Sequence, residues 1–158
     1  MILCDLLSYA VKELKPGSLI DIATLTGACV VALGDRFAGM MGTDRKAMQG
    51  LKKSGKRTGD LVWELPLHQD FSERMKSKYA DFQNAAPGYG AGAETGACFL
   101  KFFVEKTPWV HIDIAGTAYA LLEEPRKYDY PRGTGFGVRL LIDYLEQFGK
   151  EKNEQSME

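Results

Sequence analysis

The sequence predicts an α/β fold in which helices flank a mostly parallel sheet, and three observations lead there. The run Ile20-Asp21-Ile22-Ala23-Thr24-Leu25-Thr26-Gly27-Ala28 reads as a buried strand that stops at a polar turn and passes straight into a helix. A second run, Val110-His111-Ile112-Asp113-Ile114-Ala115-Gly116, ends in the same manner. Between and around them, apolar runs of strand length alternate with segments of helical spacing, the pattern of a layered α/β fold. In open sheets of this class, ligands gather beyond the carboxyl ends of strands. Two such ends predict one crevice and a small-molecule site.

The elements follow in order. Apolar residues at 2, 3, 6, 7, 10, 11 and 14 give Ile2 to Leu14 helical spacing, and Lys15-Pro16-Gly17 stops it. Leu19 to Thr24 is the first strand, and Ala28 to Leu33 is a short apolar helix closed by Gly34. Phe37 to Gly42 forms a second strand, and Thr43-Asp44 caps a basic amphipathic helix that runs to about Lys56. Leu61 to Pro66 is extended, His68 to Lys78 is helical, and Tyr79 to Asn84 alternates as a short strand. A Pro/Gly-rich loop spans Ala86 to Gly96, and Ala97 to Glu105 is helical. Trp109 to Ala115 is a further strand, and Glu123 to Gly133 a charged loop punctuated by proline. In the last helix, Gly135 to Phe148, residues Val138, Leu141, Ile142 and Leu145 share one face. Residues 1–148 are expected to form the folded part and 149–158 a polar, disordered tail. The first helix has no capping Ser, Thr, Asp or Asn and no strand ahead of it, so the chain is expected to open in the middle of a fold.

The totals narrow the function. The 158 residues, 45% of them hydrophobic, suffice for a sizeable core. Twenty basic against 21 acidic side chains leave a net charge of −1, which gives no reason to expect nucleic acid or an anionic membrane as partner. Cys4, Cys29 and Cys98 are an odd number set among apolar residues and read as buried free thiols in a reducing compartment. No apolar run has membrane-spanning length, and Met1-Ile2-Leu3-Cys4-Asp5 lacks the layout of a signal peptide. The expected location is cytoplasmic.

Several motifs carry two readings. The turn Thr24-Leu25-Thr26-Gly27-Ala28 could hold an anion or polar group on its backbone N–H groups, or Gly27 could simply permit close packing. Gly88-Tyr89-Gly90-Ala91-Gly92 follows Ala86-Pro87 rather than a strand, so it is a poor dinucleotide fingerprint and a better turned loop. Asp21 and Asp113 stand inside apolar strands, several residues before the strand ends, and structural hydrogen bonding is favoured over metal ligation. His68 and His111 are far apart in no metal-binding spacing, and His111 reads as a satisfied core residue. No G-x-S-x-G occurs. Lys52-Lys53 and Lys56-Arg57 form a solvated basic stripe, and Trp63, Leu65 and Pro66 suit core anchoring or a subunit contact.

Four blocks together resemble the leucyl aminopeptidase family, the cytosolic M17 metallopeptidases. They are Asp21–Ala28 with Val31-Ala32-Leu33-Gly34, Gly59–Leu67, Ala97–Phe103 and Trp109–Gly116, in the family's order and spacing. The likeness reaches to about Phe148. It implies the C-terminal half of a catalytic domain whose parent enzymes are homohexamers that remove N-terminal residues from peptides. In them two divalent ions, Zn or Mn, activate water, and a bicarbonate beside an arginine serves as base. The family signature N-T-D-A-E-G-R-L, which supplies metal ligands and that arginine, would lie just ahead of the first helix, so no metal is expected to bind this chain alone. The resemblance places Leu25 where backbone meets substrate and bicarbonate. It places Thr24, Gly27, Ala115 and Ala118 on the wall of the pocket for the N-terminal side chain, with Ala118 where some relatives carry a larger methionine. Ala85 falls at the next subsite. The resulting expectation is a substrate-pocket wall without catalytic groups, inactive in isolation. The alternative is a truncated, non-catalytic relative that partners full-length subunits.

Overall fold

The computed structural model describes residues 1–86, 88, 90–119 and 133–155, with side chains to Lys150. Pro87, Tyr89, most of the charged loop expected at 123–133, and the last three residues lie outside that range. The described elements are α1 (Ile2–Tyr9), continued as a π-helical turn over Ala10–Leu14, then β1 (Leu19–Ala23), α2 (Gly27–Leu33), β2 (Ala38–Gly42) and α3 (Arg45–Thr58). They are followed by β3 (Val62–Glu64), α4 (Gln69–Glu73), α5 (Gly92–Lys101), β4 (Trp109–Asp113) and α6 (Val138–Gln155).

The sheet order is β1-β4-β2-β3. β1 pairs parallel with β4, β2 pairs parallel with β3, and the central β2–β4 pairing is antiparallel. The fold is therefore α/β with a mixed sheet in which parallel pairing dominates. Register sets Ala23 of β1 against Asp113 of β4, so the two strand ends read from the sequence lie side by side.

Alternation along β4 divides the core. Trp109 and His111 face a layer with Cys4 and Leu7 of α1 and Ala97, Cys98 and Leu100 of α5. Val110 and Ile112 face Ala47, Met48 and Leu51 of α3 and Leu140 of α6. All five β4 residues are buried, as the central position of the strand requires. Local chemistry fixes the helix starts. Thr26 Oγ1 accepts from Cys29 N–H at the head of α2, and Asp44 accepts from Ala47 N–H at the head of α3.

Four expectations change. Tyr79–Asn84 forms no strand, only an isolated bridge between Lys76 and Phe82. α5 begins at Gly92, inside the expected loop, because Ala91 in the left-handed region turns the chain into the helix there. α6 runs helically to Gln155, past the expected end at Phe148. Its inward residue is Leu140, with Leu141 and Tyr144 beside it, while Val138, Ile142 and Leu145 are exposed.

Candidate functional site

At the carboxyl ends of β1 and β4 the chain builds a latch around one carboxylate. Asp113 is completely buried. Its Oδ1 accepts from Leu25 N–H (3.0 Å) and Ala115 N–H (3.1 Å), and its Oδ2 accepts from the Thr26 hydroxyl (2.7 Å). That hydroxyl in turn caps α2. Asp113 is the last residue of β4, not an interior one as the sequence suggested, which is why it can reach across to the neighbouring strand's turn. A buried carboxylate needs such donors, since the alternative is an uncompensated charge.

The latch answers the two readings of the Thr24–Ala28 turn. The Leu25 N–H and the Thr26 hydroxyl are already given to Asp113, so neither is free to cradle an external anion. Close packing at Gly27 also fails, because a Cβ there would meet nothing within 4 Å. The tight contacts come from α5 instead. A Cβ on Gly96 would lie 3.1 Å from Thr26 Cγ2, and one on Gly92 would lie 2.8 Å from Ala28 Cβ. These two glycines, one helical turn apart, let α5 lie against the turn. Both glycines fall in the loop expected at Ala86 to Gly96, although a Gly-x-x-x-Gly spacing beside an apolar helix was the available signal.

Beside the turn lies a cavity of about 300 Å³ lined among others by Leu25, Thr26, Ala85, Thr95, Gly96 and Phe99. It brings Ala85 to Leu25. Ala115 shares Asp113 Oδ1 with Leu25 but does not line this cavity. Ala118 sits in the turn after β4, its N–H bonded to Ile114 C=O and its own C=O accepting from Thr134 N–H. Thr24 and Gly27 are exposed, and neither they nor Ala118 line the cavity. The 115–118 turn is held close to α2, since a Cβ on Gly116 would fall 2.0 Å from Gly34 C=O. Of the lining residues, Thr95, Gly96 and Phe99 went unnoticed in the sequence.

A second polar cluster lies within the sheet. Asp21 accepts from Trp109 Nε1 and pairs with His111 Nδ1, both at 2.6 Å. This places the proton on Nδ1 and leaves Nε2 buried with no partner among the described residues. His111 is thus a core residue satisfied at one nitrogen only. All three cysteines are free and buried. Burial first, and the Asp113 charge second, push the Cys29 thiol up to about 11. His68 caps α4 through Nδ1. Two of the four residues of the basic stripe are tied rather than simply solvated, Lys52 to Glu64 and Arg57 to Asp143, while Lys53 and Lys56 are exposed; Arg45, outside the stripe, also binds Glu64. Trp63 is largely exposed against the edge of Phe37, so it does not anchor the core. Among the described residues, no three His, Cys, Asp or Glu side chains stand together as metal ligands, and no helix is long and apolar enough to cross a membrane.

Comparison with known proteins adds the wider context. The family model for the catalytic domain of the cytosol aminopeptidase family matches residues 1–142. A probable cytosol aminopeptidase of Geobacter sp. (strain M21) is 50% identical over 147 residues, covering 93% of this chain and 29% of the relative. Its counterpart in Geobacter sulfurreducens is 50% identical over 146 residues, and that of Cenarchaeum symbiosum 46% over 147. The chain spans 29–30% of the length of these three relatives.

Proposed function

From its membership of the cytosol aminopeptidase family, where its residues 1–142 match the catalytic domain, we propose that this chain forms the peptide-pocket wall of a metal-dependent aminopeptidase. The observation that carries the reading is the Asp113 latch. It fixes the Thr24–Gly27 turn against Ala115 at the ends of two adjacent parallel strands, where a ligand is expected, and Leu25 and Thr26 of that turn share a cavity with Ala85. In this reading Thr24, Gly27, Ala115 and Ala118 surround the substrate's N-terminal side chain, Leu25 presents backbone to it, and Ala85 borders the next residue. The small Ala118 leaves room for a bulky side chain. The parent assembly is a cytoplasmic homohexamer acting on peptides.

The described residues do not fit the pair of Zn or Mn ions that the family resemblance implies, because no ligand cluster exists among them. Their role is to bind and orient. The chemistry of water activation belongs to groups beyond them.

The test is leucine anilide hydrolysis with added Mn. The purified 158-residue chain is expected to give no turnover above a metal-only blank. Co-expressed with the part of the Geobacter sp. (strain M21) relative that the match leaves out, it is expected to give turnover that Ala118→Met reduces for bulky N-terminal residues more than for alanine. Turnover by the chain alone through repeated chromatography refutes the inactive-alone reading. An active complex whose side-chain preference ignores Ala118→Met refutes the pocket assignment.

A further inference from the structure

At the end of the sheet away from the Asp113 latch, β3 is bonded to β2 alone among the described residues. Ala38 N–H donates to Leu61 C=O, and Leu65 N–H donates to Met40 C=O. The odd-numbered residues of this stretch therefore spend their backbone groups on β2. Successive residues of a strand turn these groups to opposite sides, so the N–H and C=O of Val62 and Glu64 point outward. Pro66, with no N–H to give, ends the edge.

The side chains alternate as well. Val62 packs in the α3 layer, and Glu64 is bound there by Lys52 and Arg45. Trp63 falls on the opposite face, its ring edge-on to Phe37 at 5.8 Å, and Leu65 packs with the other core cluster. Along this edge runs a cavity of about 580 Å³ lined among others by Phe37, Leu61, Trp63, Leu65, Pro66 and Lys56. It shares no lining residue with the cavity beside Leu25. Glu64 already holds two cations, whereas Lys56 is exposed with no ion-pair partner among the described residues. Proteins guard an edge against pairing with charge, proline or cover. Here proline stops the edge, but an apolar trough lies open beside it with one spare positive charge.

We propose that the β3 edge binds an extended segment of another protein in which acidic and apolar residues alternate. The segment adds a strand by bonding to Val62 and Glu64. One of its faces sets an apolar side chain against Trp63 and Phe37, and the other sets a carboxylate beside Lys56. A wholly apolar strand would cover Lys56 without a partner, and a basic one would meet it with like charge. A second copy of this chain is a poorer occupant. The only carboxylate in its β3 is that of Glu64, which Lys52 and Arg45 already hold.

The probe is a peptide of about six residues alternating glutamate and valine, a usual strand length, acetylated so that it offers no free amine to an aminopeptidase pocket. It is titrated into the full chain while tryptophan emission is followed. Trp109 is fully buried and Trp63 is 56% exposed, so a blue shift on binding reports Trp63. Saturable binding with that shift is expected. Lys56→Glu is expected to weaken it about tenfold, and a peptide with lysine in place of glutamate is expected to bind the unaltered chain at least as poorly. Two further peptides, N-methylated at every glutamate or at every valine, test the backbone bonds without any variant. Only one of the two is expected to bind, because alternate N–H groups face the edge. No saturable binding up to about 1 mM overturns the proposal. So do binding that Lys56→Glu leaves unaltered, equal binding of the lysine peptide, equal behaviour of the two methylated peptides, and a dimer of the chain that excludes the probe. None of these outcomes depends on leucine anilide turnover, so the edge and the pocket stand or fall separately.

Discussion

Replacing Asp113 by alanine removes the acceptor for three donors at once: the N–H groups of Leu25 and Ala115 and the Thr26 hydroxyl. A buried donor left without its acceptor costs about 1–3 kcal/mol. The Thr26 hydroxyl can fall back on its cap to α2, and the Leu25 and Ala115 amides are only partly shielded, so the lower half of each range applies. Return of the carboxylate's desolvation cost offsets part of the loss. The expected destabilisation is about 3 kcal/mol, a large share of the 5–15 kcal/mol typical of a domain. For a chain of this size that lowers the melting temperature by roughly 6–12 °C. Asp113→Asn keeps one carbonyl acceptor and is expected to lose about half as much. Urea titration followed by circular dichroism gives the magnitude, and amide hydrogen exchange gives the location. Leu25 and Ala115 amides are expected to exchange faster in both variants, with β2 unaffected. A loss below about 1 kcal/mol in the alanine variant, or unchanged exchange at those amides, refutes the latch.

Other outcomes follow from the same geometry. Lys52 first and Arg45 second hold the Glu64 carboxyl below its ordinary value. Such a group adds stability that is present above its unfolded pKa and lost as pH falls through the lower folded one. Glu64→Gln should therefore flatten the acid side of a stability-versus-pH curve, and an identical curve would count against the pairing. Cys29 is buried, and at about 11 its pKa leaves on the order of one thiol in a thousand ionised at pH 8. Alkylation at that pH should reach it only in urea, and native-state labelling at a free-thiol rate contradicts the burial. Gly116→Ala places a Cβ against Gly34 C=O and should cost more than about 3 kcal/mol. Gly27→Ala meets open space at a helix start and should be neutral or stabilising by up to about 1 kcal/mol, so a reversed order in melting temperatures refutes the packing of the 115–118 turn.

The sequence made the elements legible where side-chain chemistry is local. Thr26 and Asp44 announce α2 and α3 because a cap acts within three residues of itself. β4 is legible because its five residues are buried on both faces and read as a nearly continuous apolar run. α5 was half hidden, since Gly92 and Gly96 look like chain breakers until the neighbouring turn that needs their missing side chains is in view. In α6 the spacing puts Val138, Ile142 and Leu145 on one face, but that face is exposed and the helix buries Leu140 instead. The grouping of Leu25, Ala85 and Ala115 entered through the family resemblance. Physical reasoning from sequence alone could not reach it, because Asp113 finds its partners 87 and 88 positions away.

That separation also fixes when the wall can exist. β1 is complete by residue 23, but its parallel partner β4 spans residues 109–113, and among the described residues no other strand pairs with β1. Pairing across so long a stretch makes closure slow in comparison with helix formation. At a synthesis rate of roughly 5–20 residues per second, β1 and the turn after it wait several seconds on the ribosome for β4 to be made. During that interval Ile20, Ile22 and Leu25 wait without their parallel neighbour β4. Until residue 113 is made, Leu25 and Thr26 have no Asp113 carboxylate to bind, so this part of the turn closes only after β4 is synthesised.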